Sequence, residues 1–254
     1  DEQALTGVAE PDIRQDAQGR WHIRDWGRGL RYEHLTQKES REKLERPALV
    51  VGKFGVGLKD ALATFHRHRV GVTVRSRHGD ISIIKEPKHG FADLSTLHAR
   101  IEAASDPQMV GTDVVLDGVA ERDITAAKRL FLCYANLPAL DSTPVGRIYQ
   151  RDRLAAGVYV NGLLIAEEPN FLFSYNVTAP SKALRQALNR ERRAVGRVAY
   201  SERVKAMLLA ATAPVVADRL AIEIQRFATG VMADELAWTD VALKACRVLS
   251  AQEK

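Results

Sequence analysis

Two short runs rich in glycine near the start of the chain place the strongest constraint on what it can fold into. They are Asp25–Leu30 (DWGRGL) and Gly52–Lys59 (GKFGVGLK). Glycine at this density loses much conformational entropy on folding, so it usually marks backbone that turns tightly or that another group approaches closely. The second run leads into a sequence typical of a helix, and backbone N–H groups at a helix N-terminus suit a phosphate. We therefore expect a phosphate-binding loop in the second run.

The first run carries an acidic side chain, because Asp25 stands two residues before its first glycine. An ionised carboxylate only accepts hydrogen bonds, so Asp25 could accept one from an exocyclic amine such as that of adenine. The alternative is a plain turn, which is the commoner use of a Gly-x-Gly pair beside an aspartate. The run by itself leaves both interpretations open.

Together with a third short motif, the two runs resemble the signature of the GHKL ATPases. This superfamily contains gyrase, the large heat-shock chaperones, histidine kinases and MutL. Its signature is Asp-x-Gly-x-Gly, then Gly-x-x-Gly-x-Gly, then a Gly-Thr pair before a strand. Gly111-Thr112 supplies the third element, and Asp113–Leu116 follows it as a predicted strand. Three matches in the family's order make the resemblance specific.

The resemblance implies an ATP site that also uses Mg²⁺. Adenine would lie against Asp25 and Thr112, while Gly27 and Gly29 would let the backbone pass close to the base. The triphosphate would be wrapped by Gly52, Lys53, Phe54, Gly55, Val56 and Gly57. Lys53 could neutralise phosphate charge or could face solvent. The family's general-base glutamate and Mg²⁺-binding asparagine would lie upstream of this chain, so we predict no metal ligand within it.

The second half of the chain more loosely resembles the middle domain of the heat-shock chaperones. In that family a hairpin and a further strand precede Leu-Asn-x-x-Arg and a helix, and Leu188–Arg192 fits this spacing. The resemblance implies that Arg192 contacts the γ-phosphate of ATP, a role that suits its planar, permanently charged guanidinium. The alternative is that Arg192 forms ordinary ion pairs with Glu191 and its neighbours.

Local patterns predict an α+β protein with two domains, residues 1–120 and 121–254. In the first domain they predict a strand over residues 21–25, a hairpin over residues 70–85 and a helix over residues 94–104. In the second they predict a helix over 124–137, a hairpin turning at Asn161-Gly162, a strand over 171–177, and helices over 201–227 (interrupted at Pro214) and 237–251.

The resemblance adds an architecture to these elements. The first domain would be a two-layer sandwich of the Bergerat type, in which a mostly antiparallel sheet carries helices on one face. A smaller domain resembling the family's transducer would follow it. The charged segment Tyr32–Arg46 would be the ATP lid, although an ordinary surface helix would have the same composition.

Composition narrows the class of protein. The chain has 254 residues, 46% of them apolar and 27% charged, and no run apolar enough to span a bilayer. Its two cysteines show no metal-type clustering, which favours a reducing compartment and leads us to expect a cytoplasmic protein. The net charge of +5 permits contact with nucleic acid, but much of the excess lies in residues 182–205, where a solvated helix face would explain it equally well.

We therefore expect an ATP-dependent conformational switch, in which ATP closes the two domains or promotes a homodimer, as in two-domain GHKL relatives. Two other functions remain open. One is a DNA-directed ATPase of the MutL, topoisomerase or MORC kind, acting in repair or defence. The other is a nucleotide-binding scaffold without turnover, which would act through a protein client or partner subunit. A histidine kinase is disfavoured because the second domain continues well past the Gly-Thr strand.

Overall fold

The computed structural model describes residues 10–36, 45, 56–88, 91–152, 155–190, 195–226, 230 and 232–252. It divides the chain into two compact units, Asp1–Ile124 and Thr125–Lys254. Each unit contains one β-sheet together with helices, so the predicted α+β class is confirmed. Within the described ranges, no helix has the length and apolar character that crossing a bilayer requires.

The first unit is built on a six-stranded sheet. Its strands are β1 (Asp12–Gln15), β2 (Trp21–Arg24), β3 (Gly71–Ser76), β4 (Gly79–Lys88), β5 (Phe91–Glu102) and β6 (Thr112–Asp117). They are ordered β1-β2-β6-β3-β4-β5, and every neighbouring pair is antiparallel. Helices α1 (Glu33–Thr36) and α2 (Val56–Arg67) lie between β2 and β3 in the chain. The strand predicted at residues 21–25 and the hairpin at residues 70–85 are confirmed.

The helix predicted over residues 94–104 is wrong, because these residues belong to β5. The strand pairs with β4 along most of its length, including Ile83 with Ala99 and Ile81 with Ile101. From Leu97 to Glu102 the sequence alternates apolar and polar residues, which is the period of a strand. Pairing with a long neighbouring strand therefore outweighed the weak helical pattern.

One face of this sheet is apolar and packs against α2. Leu62 of the helix is buried against Val74 and Ile81, and Leu30 and Leu58 pack on the same cluster. Since directly opposed residues of antiparallel strands share a face, this cluster defines the covered side of the sheet. Burial of these aliphatic side chains is what holds α2 over the sheet.

The opposite face carries a row of charged residues that crosses all six strands. From β1 to β5 in sheet order, the row contains Asp12, Arg24, Asp113, Arg75, Asp80 and Glu102. The sign of the charge alternates over the first five positions, so Asp12, Arg24, Asp113 and Arg75 face only charges of opposite sign across the strands, whereas Asp80 lies between Arg75 and Glu102. Asp113, at the third position, is 4% exposed. The sequence analysis did not predict this row, because it depends on the register of five strand pairs.

The second unit contains a five-stranded sheet and most of the helices. The strands are β7 (Ala139–Thr143), β8 (Gly146–Gln150), β9 (Ala156–Val160), β10 (Leu163–Glu168) and β11 (Phe173–Val177). They are ordered β10-β9-β11-β8-β7, and β9 and β11 are parallel while the other pairs are antiparallel. The helices are α3 (Glu121–Lys128, which contains the unit boundary), α4 (Lys182–Arg190), α5 (Val198–Ala210), α6 (Pro214–Arg226), α7 (Thr239–Gln252) and two short 3₁₀ helices (Leu132–Tyr134 and Asp234–Ala237).

Several predictions for this unit are confirmed. Asn161 and Gly162 have φ values of 47° and 80°, as a type I′ turn requires, and they join β9 to β10. The helical pattern breaks before Pro214, where the carboxylate of Asp141 accepts hydrogen bonds from the N–H groups of Thr212 and Ala213. The strand near residue 171 and the last helix are also present.

The helix predicted over residues 124–137 is wrong in extent. It ends at Lys128, and the chain then forms an isolated bridge between Phe131 and Leu163. The backbone N–H of Leu132 donates to the carbonyl of Gly162 at 2.8 Å. Hydrogen bonds to the β9–β10 hairpin thus replace those that a longer helix would have made.

A buried glutamate joins the second 3₁₀ helix to β11. Glu235 is fully buried, and its Oε1 accepts hydrogen bonds from the N–H groups of Leu172 and Phe173 and from the hydroxyl of Tyr175. Among the described residues, its buried Oε2 has no partner. Burial raises the pKa of Glu235 from 4.5 to about 7, since these hydrogen bonds offset the cost of burying the charge only in part.

We expect replacement of Glu235 by glutamine to remove a pH dependence from the stability of the protein. Because the folded state binds this proton more tightly than the unfolded state, the contribution is fully present below pH 4.5 and is lost as the pH rises through 7. The gap between the two pKa values corresponds to about 3 kcal/mol. Urea unfolding between pH 5 and pH 8 should therefore show a smaller loss of stability in Glu235→Gln than in the wild type. Glu202→Gln, an exposed change, is the control, and equal slopes in all three proteins would contradict this assignment.

Candidate functional site

The carboxylate of Asp25 lies in a tight turn directly after β2. The backbone N–H of Asp25 donates to the carbonyl of Thr112 at 2.9 Å, which extends the pairing of β2 with β6 by one residue. Its side-chain Oδ1 accepts hydrogen bonds from the N–H of Gly27 at 2.8 Å and from the N–H of Thr112 at 3.2 Å. Within the described part of the chain, Oδ2 makes no hydrogen bond. One carboxylate oxygen is thus fixed by the backbone, and the other has no hydrogen-bond partner among the described residues.

Two hydroxyl groups hold the returning arm of this turn. The Oγ1 of Thr112 accepts a hydrogen bond from the N–H of Leu30 at 3.0 Å. The Oγ of Ser76 donates to the carbonyl of Leu30 at 2.6 Å and accepts from the N–H of His78 at 3.1 Å. Thr112 and Ser76 are both buried. The turn is therefore anchored on the adjacent ends of β6 and β3.

Two glycines allow close packing of the backbone at the Asp25 turn. Gly29 and Gly111 have φ values of +84° and +83°, in the left-handed region that side chains rarely adopt. A Cβ atom added to Gly111 would lie 1.9 Å from the carbonyl oxygen of Asp25. The Gly-Thr motif predicted Gly111 as part of the pattern but assigned it no role. Its role in the structure is to let β6 begin in direct contact with the Asp25 turn.

The first turn of α2 and the Asp25 turn pack on one apolar cluster. Leu30, at the end of the Asp25 turn, and Leu58, in the first turn of the helix, both pack on the cluster around Leu62. Gly57 is in that first turn, where backbone N–H groups have no partner within the helix. Val56 is the first residue of α2.

The structure thus brings together Asp25, Gly27, Gly29 and Thr112 of the predicted site, and it places Val56 and Gly57 at the start of a helix packed against their turn. The other predicted site residues, Gly52, Lys53, Phe54, Gly55 and Arg192, lie outside the described residues. Among all the residues that the structure describes, no three His, Cys, Asp or Glu side chains are grouped so that they could hold a metal ion.

A second polar cluster lies behind the site, on the charged face of the sheet. Asp113 follows Thr112 directly, and its Oδ2 is 2.8 Å from Nδ1 of His22. The Nε2 of the same imidazole is 3.2 Å from Oδ2 of Asp16. Burial raises the pKa of Asp16, but hydrogen bonds from Arg20 and His22 outweigh it and hold that pKa well below its usual range. His22 therefore ties β2 to β6 immediately behind the Asp25 turn.

Sequence reasoning missed His22. The residue lies in the strand predicted over residues 21–25 and received no role there, but the structure buries it with 7% exposure. The signal that could have identified it is Asp113, a charged residue within a strand of apolar neighbours. A buried carboxylate requires a hydrogen-bond partner, and a histidine on the adjacent strand can supply one.

Comparison with known proteins gives one family and two relatives. The family described as the Mycoplasma pneumoniae MPN635 N-terminal domain matches residues 122–214. An uncharacterized protein of Mycoplasma pneumoniae is 34% identical over 188 residues, which cover 73% of this chain and 75% of that protein. A second uncharacterized protein of the same organism is 31% identical over 110 residues, which are 42% of this chain and 31% of the relative. The match to the family thus lies almost entirely in the second unit.

Proposed function

The chain belongs to the same family as the Mycoplasma pneumoniae protein to which it is 34% identical. On the basis of the geometry around Asp25, we propose that the first unit of the chain binds ATP as a GHKL-type module and acts as a nucleotide-dependent switch. The observation that carries the proposal is the Asp25 carboxylate. Its Oδ1 is held by two backbone N–H groups, while its Oδ2 is open to a donor. Adenine presents such a donor in its exocyclic amine.

The packing of the Asp25 turn supports binding of a ligand at its carboxylate. Gly29 and Gly111 are both buried, and their lack of side chains lets the turn pack directly on the ends of β3 and β6. The hydroxyls of Thr112 and Ser76 already fix the returning arm of the turn at Leu30, so little further ordering is needed when a ligand binds. The first turn of α2 supplies backbone N–H groups on the same face of the sheet for the phosphates.

The alternative of a plain turn makes a different prediction about binding. A turn needs Oδ1 of Asp25 for its own hydrogen bonds and gives Oδ2 no role. The proposed site uses both oxygens, one for the turn and one for the base. Nucleotide selectivity therefore separates the two interpretations.

The experiment is a calorimetric titration of the full chain with ATP and with ITP, whose base carries a carbonyl oxygen where adenine has an amine. With ITP, the carboxylate of Asp25 would face an acceptor instead of a donor. We expect ATP to bind at least about 10²-fold more tightly, which corresponds to about 2.7 kcal/mol. Equal affinities, or no binding of either nucleotide, would count against the proposal.

We further propose that Arg192 senses the γ-phosphate, so that ATP and ADP favour different arrangements or a homodimer. A guanidinium that contacts only the third phosphate stabilises one nucleotide state over the other, which is what a switch requires. Replacing Arg192 with alanine should spare ADP binding, lower the preference for ATP over ADP by about tenfold, and lower any turnover by about 10²-fold. Arg185→Ala, an exposed arginine in α4, is the control. If both variants keep the wild-type ratio, Arg192 has no such role.

A further inference from the structure

A second cavity lies far from the Asp25 turn, where the C-terminal end of α2 meets the start of β3. Its volume is about 530 Å³, which is in the range of sites for small molecules. Its lining combines four aliphatic side chains with three basic ones: Leu62, Val70, Val72 and Ile83, and His66, Arg67 and Arg69. The cavity is at the opposite end of β3 from Ser76, and the length of that strand separates the two sites by about 17 Å.

Arg69 holds a backbone conformation that arginine rarely adopts. Its φ is +59°, in the left-handed region, at the position just after α2 where glycine is the usual residue. Two backbone hydrogen bonds end the helix. The N–H of Arg69 donates to the carbonyl of His66, and the N–H of Val70 donates to the carbonyl of Phe65. These bonds use only backbone atoms, so glycine would make them without strain.

Among the residues that the structure describes, the side chain of Arg69 has no partner that would explain its presence at this position. It is exposed, and no hydrogen bond or ion pair joins its guanidinium to the rest of the described chain. Strained residues of this kind tend to occur at functional sites, where the side chain is needed in spite of its backbone. Arg69 is an exposed residue that lines the cavity together with Arg67, and we call these two arginines its rim.

The charge around the cavity is positive. Arg67 and Arg69 face it together with the imidazole of His66, and the guanidinium of Arg67 also donates to Oγ1 of Thr64 at 2.9 Å. One acidic residue, Asp117, has its carboxylate beside Gly71 of this lining. Two guanidinium groups against one carboxylate leave a field that attracts an anion.

The aliphatic wall continues beyond the cavity. Ile83 is paired with Ala99 of β5, and Leu97 and Ile101 on the same face of that edge strand are 39% and 49% exposed. A chain of carbon atoms that entered the cavity could therefore remain in contact with apolar surface as it left.

We propose that this cavity binds a small amphiphilic anion, a carboxylate or phosphate ester that carries an aliphatic chain. The anionic group pairs with the two arginines of the rim. The chain lies on the aliphatic wall between α2 and β4. The site is independent of the nucleotide site and does not rest on the proposed function.

The test uses octanoate as the probe, titrated into the full chain and followed by NMR shifts of the cavity methyl groups. Octanol has the same chain without the charge, and octyltrimethylammonium has the opposite charge. We expect octanoate to bind at least about tenfold more tightly than either compound, as a charge-assisted contact to a guanidinium implies. Equal binding of octanoate and octanol would overturn the proposal.

Variants of the rim complete the test. Arg69→Gly should weaken octanoate binding about fivefold or more, leave octanol binding and ATP affinity unchanged, and keep or raise the unfolding midpoint, because glycine relieves the strained backbone. Arg122→Gln removes an equal charge from an exposed site of α3 and should have no effect. An equal effect of both variants would show only general charge attraction and would overturn the proposal. So would capture of the wild type by anionic phosphatidylglycerol vesicles without any binding of free octanoate.

Discussion

Replacing Asp25 with asparagine is expected to weaken ATP binding by at least about 10²-fold while the fold stays intact. Asparagine keeps an oxygen at the Oδ1 position, so it can still accept the hydrogen bonds from Gly27 and Thr112. It places an NH₂ group where Oδ2 stands, and this donor would face the amine of adenine. The loss corresponds to about 2.7 kcal/mol or more of binding energy, whereas the free energy of unfolding should change by less than about 1 kcal/mol.

Two further measurements separate the role of Asp25 in the turn from its role in binding the base. Asp25→Ala removes both oxygens, so it should lose ATP binding and also destabilise the turn. Asp25→Asn should recover affinity for ITP, because its new donor faces the carbonyl oxygen of that base. Urea unfolding and calorimetry on the same samples measure both quantities. If Asp25→Asn bound ATP as the wild type does, Asp25 would be a residue of the turn alone.

The second large effect is expected at Gly111. A methyl group there would lie 1.9 Å from the carbonyl oxygen of Asp25, and its φ of +83° adds backbone strain. The start of β6 or the Asp25 turn must move, so Gly111→Ala should destabilise the first unit by about 3 kcal/mol or more and abolish ATP binding.

The same substitution at Gly118 separates the effect of the close contact with the Asp25 carbonyl from the effect of the positive φ. Gly118 has nearly the same φ, +82°, but a Cβ atom there would approach no atom closer than 3.7 Å. Gly118→Ala should therefore cost about 1 kcal/mol from backbone strain and leave ATP binding unchanged. If the two alanine variants proved equally stable and equally able to bind ATP, the close contact between Gly111 and Asp25 would be unimportant.

The parts of the fold that the sequence predicted are those with a strong local signal. The Asn161-Gly162 turn and the break at Pro214 follow from backbone preferences of single residues, and both are present in the structure. The hairpin over residues 70–85 follows from the alternation of apolar and polar residues, and in the structure it turns at Arg77 and His78, between the paired Ser76 and Gly79. Strand β5 was mistaken for a helix because its first residues are not alternating and its partner, β4, determines its conformation.

The parts that could not be predicted depend on register and tertiary contacts. The charged row across the first sheet and the pairing of His22 with Asp113 arise only when five strand pairs are aligned. The burial of Glu235 depends on a 3₁₀ helix that contacts a strand about 60 residues earlier in the chain. For the nucleotide site, the motif located Asp25, but it could not show that Oδ1 is fixed by Thr112 and Oδ2 is left open.

The most direct measurement is a crystal structure of the chain with a non-hydrolysable ATP analogue and Mg²⁺. We expect the exocyclic amine of adenine to lie within hydrogen-bonding distance of Oδ2 of Asp25, about 3 Å, with the base against Gly29 and Thr112. The phosphates should lie at the N-terminus of α2. A nucleotide bound elsewhere, or a base that turns its amine away from Asp25, would show that Asp25 does not bind adenine.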